Sequence, residues 1–394
     1  MNRRPTLQRV GCLVMAACCL AGGACTSTTT GTTPVDAGST QVVLYPYAVP
    51  PGFPVPPVPV DNVVTDAKVL LGRHLFYDVR LSINSTTSCA TCHHQDKAFT
   101  DARPTALGAT GDHTPRGSMA LMNVAYAASL GWANPLLQTL EQQLLVPLFG
   151  THPVEMGMAG REDVLLQLFE TDPTYARLFP QAFPGDNAPF TLHRMAQAIA
   201  SFERTLISGG SPWDRFAAGG APDAVTVPAR RGAEQFFSER FECYHCHGGF
   251  LFTDNGGAQG AAAERPFHNN GLYNLDGAGG YPPDNQGVFE ISGNALDMGR
   301  FKAPSLRNIA VTAPYMHDGT LATLDDVLDH YAQGGQVQDG GVHHGRDNPL
   351  KDSLVRGIEM TPEERANLLA FLHALTDDAF LTNPAFANPW PPAP

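Results

Sequence analysis

Cys89-Ala90-Thr91-Cys92-His93 and Cys243-Tyr244-His245-Cys246-His247 are two complete copies of one pattern, C-x-x-C-H. In an exported chain this is the attachment sequence of a c-type haem. The two thiols add to the haem vinyl groups, and the adjoining His93 or His247 becomes the proximal iron ligand. A zinc pair or a disulfide would use the cysteines but would not account for two full copies with the histidine in place. With 394 residues, the chain is long enough for one domain per motif. The predicted fold is mainly α, with two domains, one covalent haem c in each, and long irregular loops. The functional question is then what occupies the second axial position of each iron.

The net charge of −13 argues against nucleic acid as a partner and suits solubility or a basic protein partner. Glycine (39) and proline (33) are numerous enough to require much loop. Arg3, Arg4 and Arg9 followed by the small, apolar run 10–24 read as an export signal over 1–24, too short for a comfortable membrane span. Its removal would take Cys12, Cys18 and Cys19 with it. Cys25 then follows Gly23-Ala24 as in a bacterial lipoprotein site, although Gly22 replaces the usual leucine. Lipid anchoring at Cys25 and simple secretion both remain open. Lipidation would leave Cys89, Cys92, Cys243 and Cys246 as the remaining cysteines, all of them haem attachments. Haem c attachment in bacteria takes place outside the cytoplasmic membrane, so the expected location is periplasmic or cell-surface.

Residues 25–60 form a Thr/Ser- and Pro-rich linker or arm, extended over 45–59. Helical patterns follow at 66–78, 136–146, 163–170, 173–179 and 191–206. The breaker-rich run 209–224 separates an N-terminal haem domain, 61–215, from a C-terminal one, 225–380. A helix from 228 leads into the second motif, and 248–300 read as loop lying over its haem. Thr361, Pro362 and Glu364 open a terminal helix with a capping box. Residues 381–394 are a Pro-rich tail. Thr323 caps a further helix whose Leu324, Val327, Leu328 and Tyr331 form one inward stripe, ended by Gly334 and Gly335. On this pattern alone Tyr331 is a core residue.

From Leu71 onward, LGRHLFYDVRLS, the two haem motifs and APSLRNIAVTAPYMHDG resemble the bacterial di-haem cytochrome c peroxidase/MauG superfamily. The stretch 98–135, with SFERTLISG and NPLKDSLVRG, resembles its MbnH-type branch. The similarity spans roughly 61–377. It implies two cytochrome c-like domains facing each other, an N-terminal one whose haem meets hydrogen peroxide and a C-terminal one whose haem stores an oxidising equivalent. The two together would reach a high-valent state that oxidises a residue, tryptophan in the MbnH type, on another protein. An MbnP-like copper-binding protein is the partner this branch implies.

The resemblance also assigns roles. Counted from PYMHDG, Tyr331 falls where peroxidases place the methionine ligand of the second haem and MauG places a tyrosine. An oxygen ligand there stabilises higher-valent iron, whereas a thioether favours a reduced electron store. Met298, Met316, His268, His317 and His330 are the competitors for that position. Gln143 and Glu155 match the distal glutamine and glutamate of the peroxide site, where O–O cleavage needs a proton carrier and a dipole. The Pro147–Glu155 spacing is longer than in other members, and Gln142 is the neighbouring register. Trp132 matches the tryptophan between the haems, and Trp213 and Trp390 are the only alternatives. His113 is displaced from the register of the histidine that blocks the first haem in resting peroxidases. The family holds calcium between its domains. Gly117 stands here where asparagine is usual, while Thr312 and Pro314 could still offer carbonyl oxygens. Three functions follow from these assignments: a peroxide-dependent oxidase of a protein partner, a peroxidase fed by a small cytochrome, and a non-catalytic electron carrier.

Overall fold

Threonine hydroxyls set half of the described α-helix starts. The structure, a computed structural model, describes residues 44–256, 266–337 and 343–391, all within one compact unit. Its α-helices are α1 (Asp66–Phe76), α2 (Cys89–Cys92), α3 (Leu140–Phe149), α4 (Glu162–Thr171), α5 (Pro173–Ala182) and α6 (Leu192–Glu203). They continue as α7 (Pro212–Ala217), α8 (Val227–Phe236), α9 (Phe289–Ser292), α10 (Leu324–Ala332), α11 (Pro362–His373) and α12 (Asp378–Leu381). Thr65, Thr139, Thr191, Thr226, Thr323 and Thr361 accept a backbone N–H at the starts of α1, α3, α6, α8, α10 and α11, satisfying an otherwise orphaned donor each time. Among the described residues β-structure is limited to isolated bridges, so the fold is mainly helical as expected.

Each haem motif is preceded by a helix that crosses another at very short range. A Cβ on Gly72 of α1 would stand 1.9 Å from the Ala198 carbonyl oxygen of α6. A Cβ on Gly232 of α8 would stand 1.9 Å from the Asn367 carbonyl oxygen of α11. Glycine is what lets the backbones meet at both crossings. The α1–α6 pair carries one apolar core, with Leu71, Leu75, Phe76, Ile199 and Phe202 almost fully buried. The α8–α11 pair carries a second, with Phe236, Leu368, Phe371 and Leu372. The similarity of the halves extends further. Asn123 and Asn308 both take left-handed backbone angles, and each begins a short 3₁₀ turn, Val124–Tyr126 and Ile309–Val311.

Buried polar groups join the halves. One Asp377 carboxylate oxygen accepts from the Ser208 hydroxyl and from the Gly209 and Gly210 amides. Asn308 donates to the Ser208 hydroxyl and accepts from the Asp377 amide. Arg307, nearly inaccessible, pairs with both oxygens of Asp214. The Pro-rich arm packs on this junction: Phe53 makes edge contacts with Tyr126 and Phe250 and lies under the Arg307 guanidinium. Of the two readings of the arm, packing against the body is therefore the observed one for its described part. Phe380 of α12 and Phe386 beyond it return to the first core.

Local differences from the sequence expectation have clear causes. The helix expected from 136 starts at Leu140, because the Thr139 side chain takes the cap. The boundary run 209–224 contains α7, closed by a Ser211–Asp214 capping box with Pro212 in its first turn. The 248–300 stretch is irregular where described, apart from α9 and a short 3₁₀ turn. The expected export signal and Cys25 lie outside the described residues. No described helix is long and apolar enough to cross a membrane.

Candidate haem sites

The first motif opens onto a cavity of about 540 Å³ lined by Cys89, Cys92 and His93. A Ser88–Thr91 capping box holds the cysteines on the single turn of α2. The His93 Nδ1–H donates to the Phe99 carbonyl at 2.7 Å, which leaves Nε2 as the free lone pair. Burial lowers the imidazole pKa, favouring the neutral, ligating form. Gln143, Pro147 and Glu155 line the same cavity. Gln143 Oε1 is buried without a partner, and Pro147, lacking an N–H, leaves the Gln143 carbonyl without its helical donor. Burial raises the Glu155 carboxyl above its usual pKa. Glu203 also lines the cavity, and burial pushes its pKa up to about 8.

The second motif opens onto a cavity of about 200 Å³ lined by Cys243, Cys246 and His247. Here too the Nδ1 edge is spent on the backbone, 3.1 Å from the Pro304 oxygen and 3.3 Å from that of Phe252. Phe99 and Phe252 both have positive φ, at 65° and 52°, so in each half a residue with left-handed backbone supplies a carbonyl to the proximal histidine. The expected stripe of α10, Leu324, Val327, Leu328 and Tyr331, faces this cavity in full. Burial raises the Tyr331 phenol well above its ordinary pKa.

Trp132 and Lys302 line both cavities and a third of about 120 Å³. The Trp132 Nε1–H donates to the Gly117 carbonyl at 2.8 Å, and its own carbonyl accepts from the Lys302 amide at 2.8 Å. The Lys302 ammonium reaches the Ser129 carbonyl at 3.2 Å, and burial lowers its pKa to about 8. Beside them His317 stacks on Phe301, its Nε2 buried without a partner, and burial lowers its pKa to about 4.

These residues fit two haem groups. Each cavity offers two free thiols and one imidazole nitrogen, and the buried cation of Lys302 and the orphaned nitrogen of His317 match the carboxylates that a haem carries.

The cavities bring the sequence-predicted residues together in two groups, with Cys89, Cys92, His93, Gln143 and Glu155 in one and Cys243, Cys246, His247 and Tyr331 in the other. Gln142 is exposed and does not line the cavity, whereas Gln143 does. His113 is exposed beside the Thr105 hydroxyl and does not line the first cavity. Of the competitors at the second cavity, His268 is held between Asp254 at 2.6 Å and Asp352 at 2.8 Å. His330 Nε2 lies 3.0 Å from the Asn270 carbonyl oxygen. Met316 lines the cavity but accepts from the Asn270 amide, and Met298 packs in a separate apolar cluster. Trp213 packs on Phe371 and Trp390 on His74, away from the space between the cavities. Thr312, Pro314 and Gly117 line the third cavity together, with the Gly117 carbonyl engaged by Trp132. Glu203, Asn270 and Lys302 were not foreseen. None of them carried a signal in the sequence, and Lys302 follows Arg300 by only two residues.

Residues 66–221 match the family model of di-haem cytochrome c peroxidase. The chain is 34% identical to the methylamine utilization protein MauG of Methylorubrum extorquens, over 83% of this chain and 84% of that one. It is 33% identical to a cytochrome-c peroxidase of Denitromonas iodatirespirans, over 83% and 86% respectively. A crystal structure of a MauG-like protein associated with microbial copper homeostasis superposes with a TM-score of 0.85 at 44% identity, covering 88% of this chain and all of that one.

Proposed function

We propose that this chain, a member of the di-haem cytochrome c peroxidase/MauG family and a haem-dependent, peroxidase-type oxidoreductase, uses hydrogen peroxide to oxidise a tryptophan on a partner protein. The observation that carries this reading is Tyr331, which puts a phenol oxygen into the cavity of Cys243, Cys246 and His247. The likeness to a protein associated with copper homeostasis makes a copper-binding, MbnP-like protein the partner to test. The expected compartment remains periplasmic or cell-surface, where haem c is attached.

Cys89, Cys92 and His93 would hold one haem, and Cys243, Cys246, His247 and Tyr331 the other. Bound there, the haems supply the redox chemistry with peroxide and store the oxidising equivalents. Glu155 takes the proton from the inner peroxide oxygen and returns it to the outer one, a role suited to a carboxyl whose pKa burial has raised. Gln143 orients the peroxide through its side-chain amide, whose oxygen has no other partner. Trp132 relays electrons between the sites. Its Nε1–H is bonded to a backbone carbonyl, which cannot take the proton, so an oxidised indole keeps that proton and readily recovers its electron.

The alternative is a peroxidase fed by a small cytochrome. It is favoured by relatives named cytochrome-c peroxidases and by the Met316 thioether in the second cavity. Mass spectrometry of an MbnP-like partner after peroxide treatment separates the two. We expect conversion of a partner tryptophan to kynurenine by the native protein and none by Tyr331→Phe with both haems attached. Rapid turnover with reduced cytochrome and an unmodified partner would instead establish the peroxidase.

A further inference from the structure

Tyr331 and Met316 face the second cavity together with His268 and His317, and Asn270 lies beside both Tyr331 and Met316. Tyr331 offers a phenol oxygen and Met316 a thioether sulfur, and Asn270 lines the cavity with them. The Asn270 Nδ2 donates to Met316 Sδ at 3.2 Å. The same side chain lines the cavity beside the Tyr331 hydroxyl, within its reach. A primary amide has two N–H bonds, so it can serve an oxygen and a sulfur together.

We propose that Asn270 selects the axial donor of the second haem, presenting the Tyr331 oxygen as ligand and holding the Met316 sulfur back. The proposal rests on the reading that Tyr331 is that ligand. A donated N–H stabilises charge on the oxygen without adding a charge of its own. On the sulfur the same kind of bond occupies a lone pair that iron would need.

Asn270 is itself firmly placed. His330 lies beside Tyr331 on α10, and its Nε2 bonds the Asn270 carbonyl at 3.0 Å, so the helix carrying the ligand also fixes the selecting loop. Next to it, Asn269 accepts from the Gly271 amide and donates to the Met298 carbonyl. Met316 has a φ of 69°, an uncommon conformation for a non-glycine residue that surrounding contacts must maintain. The thioether is therefore held in the cavity by design of the backbone, and its exclusion from iron needs an agent.

The test uses the purified holoprotein with haem content measured, and reads the resting absorption and electron paramagnetic resonance spectra and the midpoint potential of the second haem. Asn270→Ala and Asn270→Asp are compared with Tyr331→Phe and Met316→Leu. Asn270→Asp conserves volume, so it answers the question if the alanine variant folds poorly. We expect both Asn270 variants to lose the native axial signature in part, to gain a thioether-type population and to shift the potential positive. Adding Met316→Leu to Asn270→Ala should abolish the thioether population, while Met316→Leu alone should keep the native spectrum. Native spectra and potential in both Asn270 variants, with Tyr331→Phe altering both, would overturn the role of Asn270 alone. An unaltered Tyr331→Phe would overturn the ligand reading, and this proposal with it.

Discussion

Trp132 touches both haem cavities, so a change there can be read without disturbing either set of haem-binding residues. Trp132→Phe should keep two attached haems and still consume peroxide, while partner oxidation falls by at least an order of magnitude in a steady-state assay. Equal rates for the native and Phe proteins would remove Trp132 from the relay. Glu203 makes a different prediction. Its folded pKa of about 8 lies above the ordinary 4.5, so folding keeps a proton that the unfolded chain has released. Stability should therefore be lost as pH rises from about 4.5 to about 8, by a few kcal/mol in order of magnitude. Glu203→Gln should flatten that dependence, so that its thermal midpoint gains on the native protein at pH 8 but not at pH 5. At this scale the thiols and imidazoles were legible because haem attachment fixes their spacing along the chain. Lys302, Asn270 and Glu203 were not, because their roles depend on what lies opposite them in space.

Helices α1 and α8 each bring a haem motif to its cavity through a glycine crossing. Gly72→Ala or Gly232→Ala would force a methyl group into backbone and should cost roughly 2–4 kcal/mol, measured by denaturant unfolding. A cost below about 1 kcal/mol, the helix-propensity scale, would mean that the helices can part without loss. Helix α10 shows how far pattern reading reaches. Its cap, stripe and glycine stop were all readable, and the stripe does line one cavity. Whether Tyr331 is core or ligand was not readable from the pattern, because an inward tyrosine reads the same either way. The start of α3 was misplaced since apolar spacing continues through 136–139, and the Thr139 cap overrides it.

Across the whole molecule, the Pro-rich arm and the buried polar junction hold the two cores in one body. Phe53 touches Tyr126 on one side and Phe250 and Arg307 on the other, so its loss should be felt by both halves. We expect Phe53→Ala to lower stability by about 2 kcal/mol, less than a fully buried ring would cost. Unfolding followed through each haem separately should then show the two halves parting company. Coincident transitions with an unchanged midpoint would show that the arm contributes nothing.

The sequence by itself determined that there are two thiol-and-imidazole sets, a mainly helical chain and capped helices, since each depends on neighbours within a few residues. It also indicated, through resemblance, which residues to look for at each site. Only the tertiary structure put Gln143 rather than Gln142 in the first cavity, Trp132 and Lys302 along both cavities, and Asn270 against Met316 in the cavity that Tyr331 lines. Those placements depend on contacts between elements far apart in the chain, such as the glycine crossings and the Asp377 junction, and no local pattern encodes them.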